Sequence, residues 1–310
     1  MKQEDTAPEV PLRKDMNFDY GVPGGIVPGV VRLVANNPGP FTHNGTNTYL
    51  VGSNTLAVID PGPDDPVHRE AILSAAQGRP ISHILVTHAH RDHLDGLAKL
   101  QAETNAVSAA FGRSHLHVPD ILNSPSGRDF VDLEFAPDVM LEDGAVIEGS
   151  DWKLEVLHTP GHAPDHLCFL LAERNIVFSG DHVMSWNTTV IAPPEGKMAD
   201  YIASLSRLLD TNSDLYLPGH GGRLEDARRT VKAFLLHRQW REQAVFDAVR
   251  TKGLNVRGIV ALIYKGLDEK LIQAAGLSVM AHVEHLAEQG YLRYEEPLGF
   301  DTEIAVSKQR

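Results

Sequence analysis

The sequence predicts an α+β protein in which two β-sheets pack face to face with helices outside them, an αββα sandwich, followed by a small, mainly helical module. Three observations carry that prediction. Short β-branched runs and amphipathic stretches follow one another in the order strands, helices, strands, helices, which suits two helix-covered sheets better than a doubly wound parallel sheet. The densest cluster of metal-type donors, Thr87 to Gly96 (T-H-A-H-R-D-H-L-D-G), begins where the apolar run Ile84 to Val86 ends and precedes a helix. Beyond about residue 238 the pattern changes to helix, turn, helix, turn, helix and a short strand.

A chain of 310 residues can bury one large core with a small one beside it. The predicted division is a flexible arm over 1–20, a main domain over 21–237, the module over 238–300 and a tail over 301–310. With 41 acidic against 28 basic residues, the net charge of -13 repels nucleic acid and anionic membranes at long range. The first ten residues, M-K-Q-E-D-T-A-P-E-V, lack an apolar signal core, and no run of 18 apolar residues occurs, so a soluble cytoplasmic protein with no membrane partner is expected. A lone cysteine, Cys168, excludes an internal disulfide; beside Leu167, Phe169, Leu170 and Leu171 it belongs to a buried strand.

Taken in order, Gly21 to Gly29 is a Gly/Pro turn cluster, and strands are expected at 30–34, 46–51 and 55–59, the last stopped by Asp60-Pro61-Gly62. A helix over 67–76, a strand over 81–87, a helix over 94–103 and a strand over 107–110 follow. Gly112 to Asp138, rich in Pro, Ser, Gly and Asp, reads as a loop insertion bordering a pocket. Strands return at 153–158, 166–172, 176–179 and 214–217, with a helix over 201–209 and a long helical stretch over 224–251 broken near Arg238.

The module, with helices over 239–252, 256–264 and 277–289 and a strand over 290–294, looks like a winged helix with Ser278 to Gln289 as its recognition helix. Between Arg238 and Glu296 it carries eight basic and eight acidic residues. A groove reader should be basic, so packing or homodimerisation is the favoured role.

Three further clusters supply donors to complete the Thr87 to Gly96 stretch: His158-Thr159-Pro160-Gly161-His162, Ser179-Gly180-Asp181 and Leu217-Pro218-Gly219-His220-Gly221. Each is an apolar strand, a tight turn and one donor, so strand ends converging on one sheet edge would gather them. Imidazole suits zinc, and carboxylates offset part of the charge of a two-ion site. T-H-A-H-R-D-H, H-T-P-G-H, S-G-D and P-G-H-G, in that order and after the D-P-G element, resemble the metallo-β-lactamase-fold hydrolase superfamily from about Val30 to Gly222.

The resemblance implies a binuclear centre in which His88, His90 and His162 hold one metal, Asp92, His93 and His220 the other, and Asp181 bridges them. It implies two divalent ions, zinc first and manganese or iron as alternatives, and a metal-bridging hydroxide as nucleophile, with Asp92 as the catalytic residue that steers it. Asp60 is expected to orient ligands from behind. His115 and His117 are weighed as an accessory metal pair, Asp95 as a helix-start residue, His166 as support for the sheet, and His182 as pointing away from the metals. Substrate contacts are expected from His43, Asn47, Trp186 and Thr188.

Asn37 to Pro40, Gly45 to Leu50, Thr188-Thr189 and the C-terminal module extend the resemblance to the lactamase-like protein 2 group, over nearly the whole chain. That group includes a single-strand-selective endoribonuclease, so a binuclear phosphodiesterase acting on single-stranded RNA is one expectation. The alternative is a small-molecule acyl hydrolase acting on a thioester, lactone or lactam, although the C-G-K-F-like signature of glyoxalase-type thioesterases is missing after S-G-D. A non-hydrolytic metal scaffold is the remote third reading.

Overall fold

The computed structural model describes residues 8–112 and 130–307; His115, His117 and most of the predicted insertion lie outside the described residues. Strands β1 (Gly24–Val27), β2 (Val30–Val34), β3 (Asn47–Val51), β4 (Leu56–Ile59), β5 (Ile81–Leu85), β6 (Val107–Ala110) and β7 (Val139–Met140) form one sheet in that spatial order. Its first four strands pair antiparallel and its last four parallel. The second sheet has the order β12 (Leu215–Pro218), β11 (Ile176–Gly180), β10 (Leu167–Leu171), β9 (Lys153–His158) and β8 (Val146–Glu148).

Alternation along the strands sorts side chains into layers. Tyr49, Val51, Ile59 and Leu85 from the first sheet meet Leu154, Val156, Phe169 and Phe178 from the second in the central core. The opposite faces take the helices. Leu50, Val58 and Ile84 pack under α1 (Pro66–Ala76), α2 (Arg91–Leu94) and α3 (Leu97–Thr104); Leu157, Cys168 and Val177 pack under α4 (Met198–Leu208) and the first half of α5 (Ala227–Lys252). The result is the expected αββα sandwich.

The C-terminal core joins the end of α5 to α6 (Val256–Ile263), α7 (Ile272–Glu288) and the wing strands β13 (Leu292–Tyr294) and β14 (Ile304–Val306), a winged-helix arrangement. α5 runs unbroken through Arg238, where the sequence suggested an interruption. Residues 304–306, read as tail, complete the wing as β14. The Gly21 to Gly29 turn cluster contains β1, which the sheet edge accommodates with a register shift between Gly25 and Val27. The predicted helix over 94–103 is α3, which begins at Leu97; the donor stretch before it forms the separate short helix α2, and Asp95, expected to start a helix, caps the C-terminus of α2 instead. Residues 8–20 form no regular element, yet Val10 and Leu12 pack on the core beneath α4, and the Arg13 amide donates to the Ser185 carbonyl at 2.7 Å. Among the described residues no helix is long and apolar enough to cross a membrane.

Candidate metal centre

The ends of β4, β5, β9, β11 and β12 point toward one edge of the sandwich, and each hands its chain to a turn carrying donor residues. The structure brings together His88, His90, Asp92, His93, His162, Asp181 and His220. Their donor atoms form three overlapping sets, each within 4.8 Å: His88, His90 and His162; His88, His93 and Asp181; Asp92, His93 and His220. Gly219 makes this approach feasible, since a Cβ there would lie 2.5 Å from Asp181 Oδ1 and 2.7 Å from His93 Cε1.

The hydrogen bonds behind the imidazoles assign their tautomers. His93 Nδ1 donates to Asp60 Oδ2 at 2.9 Å, His162 Nδ1 to the Val190 carbonyl at 2.9 Å, and His220 Nδ1 to the Gly45 carbonyl at 3.2 Å. His90 presents its other nitrogen, Nε2, to Glu195 at 3.2 Å. The Thr87 hydroxyl donates to Asp60 Oδ2 at 2.9 Å and so accepts from His88 Nδ1 at 2.9 Å. Every outer nitrogen is therefore committed to an oxygen partner, and the inner nitrogens face one another: His88 Nε2 and His90 Nδ1 at 2.9 Å, His162 Nε2 and His90 Nδ1 at 3.2 Å, His93 Nε2 and His220 Nε2 at 3.2 Å. Lone pairs at such distances repel unless positive charge lies between them. Asp181 Oδ1, buried and without a hydrogen bond, faces the same space. The donor set fits divalent cations.

In the metal-free site the carboxylates draw protons onto two of these rings. Burial alone would lower the His220 pKa, but Asp181 and Asp92 outweigh it and hold it up at about 10. Burial likewise opposes charge on His93, which Asp92, Asp181 and Asp60 nevertheless hold well above the usual histidine range. Burial would raise Asp92 and Asp181, yet the surrounding imidazoles keep both carboxylates well below theirs. The field at the site therefore favours positive charge.

Asp60 sits behind the donors, accepting from the Thr87 amide and hydroxyl and from His93. Asp95 pairs with Arg91 at 3.1 Å and stays outside the cluster. The His182 ring lies tilted against Tyr201 in the core, centroids 4.6 Å and planes 49° apart. His43 lies flat on Trp186, centroids 4.8 Å apart and planes 7° apart, with its Nε2 3.0 Å from the Lys14 carbonyl, and the Thr188 amide bonds the Asn187 side chain. Asn47 departs from its expected role as a substrate contact: it is fully buried, and its amide nitrogen donates to the Pro218 and Gly221 carbonyls, pinning the loop that carries His220.

Sequence reasoning missed Glu195, because only the tertiary fold brings the P-P-E-G stretch against His90. It also missed that His166 Nε2 accepts the Asp181 amide at 3.1 Å, so this histidine fixes the main chain of a donor as well as supporting the sheet.

Comparison with known proteins accords with this picture. Residues 42–220 match the family described as the metallo-beta-lactamase superfamily, and residues 256–297 match the beta-lactamase associated winged helix domain. A beta-lactamase-like protein 2 homolog of Drosophila melanogaster is 31% identical over 281 residues, 85% of this chain and 89% of that protein. A lactamase-like protein of Aspergillus niger is 30% identical over 283 residues, 86% and 82% of the two chains. The crystal structure of a beta-lactamase domain protein from Burkholderia ambifaria, at 22% identity, shares the fold with a TM-score of 0.80 over 94% of this chain and 96% of that one.

Proposed function

This chain belongs to the metallo-beta-lactamase superfamily, and from that premise we propose that it is a metal-dependent hydrolase with a two-ion centre. His88, His90 and His162 would hold one ion and Asp92, His93 and His220 the other, with Asp181 placed beside His88 and His93 as a further donor. The observation that carries this reading is the set of five imidazoles whose outer nitrogens are all committed to oxygen partners, leaving the inner nitrogens aimed at one another and at two carboxylates. Zinc suits the imidazole-rich set, and manganese or iron suits the set containing Asp92. Such ions, when bound, supply Lewis acidity and lower the pKa of a coordinated water toward about 7.

The chain's own groups divide the remaining work. Asp60, Glu195, Thr87 and the Gly45 and Val190 carbonyls hold the rings in one tautomer and orientation. Asp92 is the most open of the carboxylates, its side chain 29% exposed against 10% for Asp181, and it accepts from the Thr46 hydroxyl at 3.3 Å. A carboxylate held this far below its usual pKa is a poor proton store, so Asp92 acts by ligation and by orienting water.

For the substrate, the helix in the recognition position favours a small acyl compound over a polynucleotide. Ser278, Val279, Met280, Ala281, His282, Val283 and Leu286 of α7 are buried, Ala281 in the core beneath α4, so this helix packs inward. The test is a parallel assay of metal-reconstituted protein on thioesters, lactones and single-stranded RNA, with His162→Ala as the blank. Hydrolysis of an acyl substrate that falls about 100-fold or more in His162→Ala is expected, since partners behind the ligands already cost about 10–100-fold. Equal rates in both proteins would sink the proposal, and cleavage of RNA alone would replace the substrate class.

A further inference from the structure

α5 carries two buried arginines, Arg238 and Arg241, only 3% and 9% exposed. The Arg238 guanidinium lies 5.0 Å over the Tyr201 ring, and that of Arg241 lies 4.2 Å over Tyr264 and 5.1 Å over Trp240. Aromatic faces attract the cations but leave in-plane donors unmet: Arg238 Nε and Arg241 Nε and Nη1 are buried without a hydrogen-bond partner. Burying a guanidinium costs several kcal/mol even after relaxation, so what each arginine touches decides its role.

Arg238 reaches the metal centre through one loop. Its Nη2 donates to the Thr189 carbonyl. The Thr189 hydroxyl donates to the Asp181 carbonyl at 2.7 Å and lies 3.1 Å from that of His182. The next carbonyl, Val190, accepts from His162 Nδ1 at 2.9 Å. Tyr201, beneath the guanidinium, donates its hydroxyl to the His182 carbonyl at 3.0 Å. Residues 189 and 190 thus supply both the acceptor that aims the His162 ring and the donor that fixes the main chain of Asp181, and Arg238 holds the peptide between them. Among the described residues Arg241 makes no such connection.

We propose that Arg238 is a positioning residue for the metal centre, holding the Thr189–Val190 peptide so that His162 and Asp181 keep their metal-binding geometry. This rests on the reading that those side chains hold ions, and it couples the centre to the long helix that also builds the C-terminal core.

The test compares Arg238→Met and Arg241→Met with the unaltered protein by zinc competition titration against a chromophoric chelator, by the visible spectrum of the cobalt-substituted protein, and by thermal unfolding without metal. In Arg238→Met the apparent zinc affinity is expected to fall about 10–100-fold and the cobalt spectrum to change, while the metal-free protein still unfolds cooperatively within a few degrees of the original. Arg241→Met, on the same helix and similarly buried, is expected to retain both affinity and spectrum. Unchanged affinity in Arg238→Met, or an equal loss in Arg241→Met, overturns the inference. If Arg238→Met does not fold, Arg238→Gln, too short to reach the Thr189 carbonyl, takes its place: weaker zinc binding supports the link and unchanged binding refutes it. Failure of the unaltered protein to bind zinc, cobalt or any other divalent ion would instead remove the metal reading on which the inference stands.

Discussion

Asp60 ends β4 with a φ of 53°, a left-handed conformation that a short polar side chain tolerates. That bend brings both carboxylate oxygens under the first donor stretch, where they bind the Thr87 amide and hydroxyl and His93 Nδ1. Asp60→Asn keeps the size and the backbone conformation but replaces one acceptor with a donor, so the His93 and Thr87 partners can no longer all be satisfied. A loss of about 10–100-fold in zinc affinity with retained fold is expected, measured by competition titration; wild-type affinity would show that Asp60 only packs. The gathering of Asp60 and the seven candidate donors was legible because each is a chemically distinctive residue in a short motif. Glu195, the Val190 carbonyl and the real task of Asn47 were not, because their meaning depends on what folds against them from far along the chain.

Strand ends are the elements that gather the centre, and the runs at 30–34, 107–110 and 153–158 could be read to the residue because each is a short run rich in apolar residues with polar or turn residues close to both ends. The edge strand β1 was missed because glycines leave no pattern to read, and β14 because three residues at the wing acquire their structure from pairing with β13. The apparent break in α5 arose from the change of partners along it, from the sandwich core to the C-terminal core, which alters the pattern without altering the helix. α7 faces a groove between residues 194–199 and the wing, where burial, reinforced by Glu296 and Glu288, pushes the Glu284 pKa up to about 7 against the opposing pull of Lys197. A carboxyl raised above its unfolded value of 4.5 contributes stability below that pH and loses the contribution as pH rises through about 7. Glu284→Gln should therefore unfold with the original protein near pH 5 and a few degrees above it near pH 8, read by thermal melts across that range; a constant difference at all pH values would exclude the titration.

At the scale of the whole molecule, sandwich and winged helix share a continuous helix and a continuous chain of contacts to the donor loops. The architecture was legible from the order of elements and the resemblance in the motifs. The balanced charge of the C-terminal module already favoured packing over groove reading, and what the sequence could not supply is the partner of α7, the core beneath α4. A net charge of -13 and that inward packing support one assignment of labour: the sandwich edge does the chemistry and the C-terminal part supports it. The most direct measurement is the metal content of reconstituted protein, by elemental analysis per chain, for the unaltered protein and His220→Ala. The account predicts about two divalent ions in the first and about one in the second, since His220 belongs to only one of the terminal donor sets. One ion or none in the unaltered protein, or two in both, would contradict the two-ion centre.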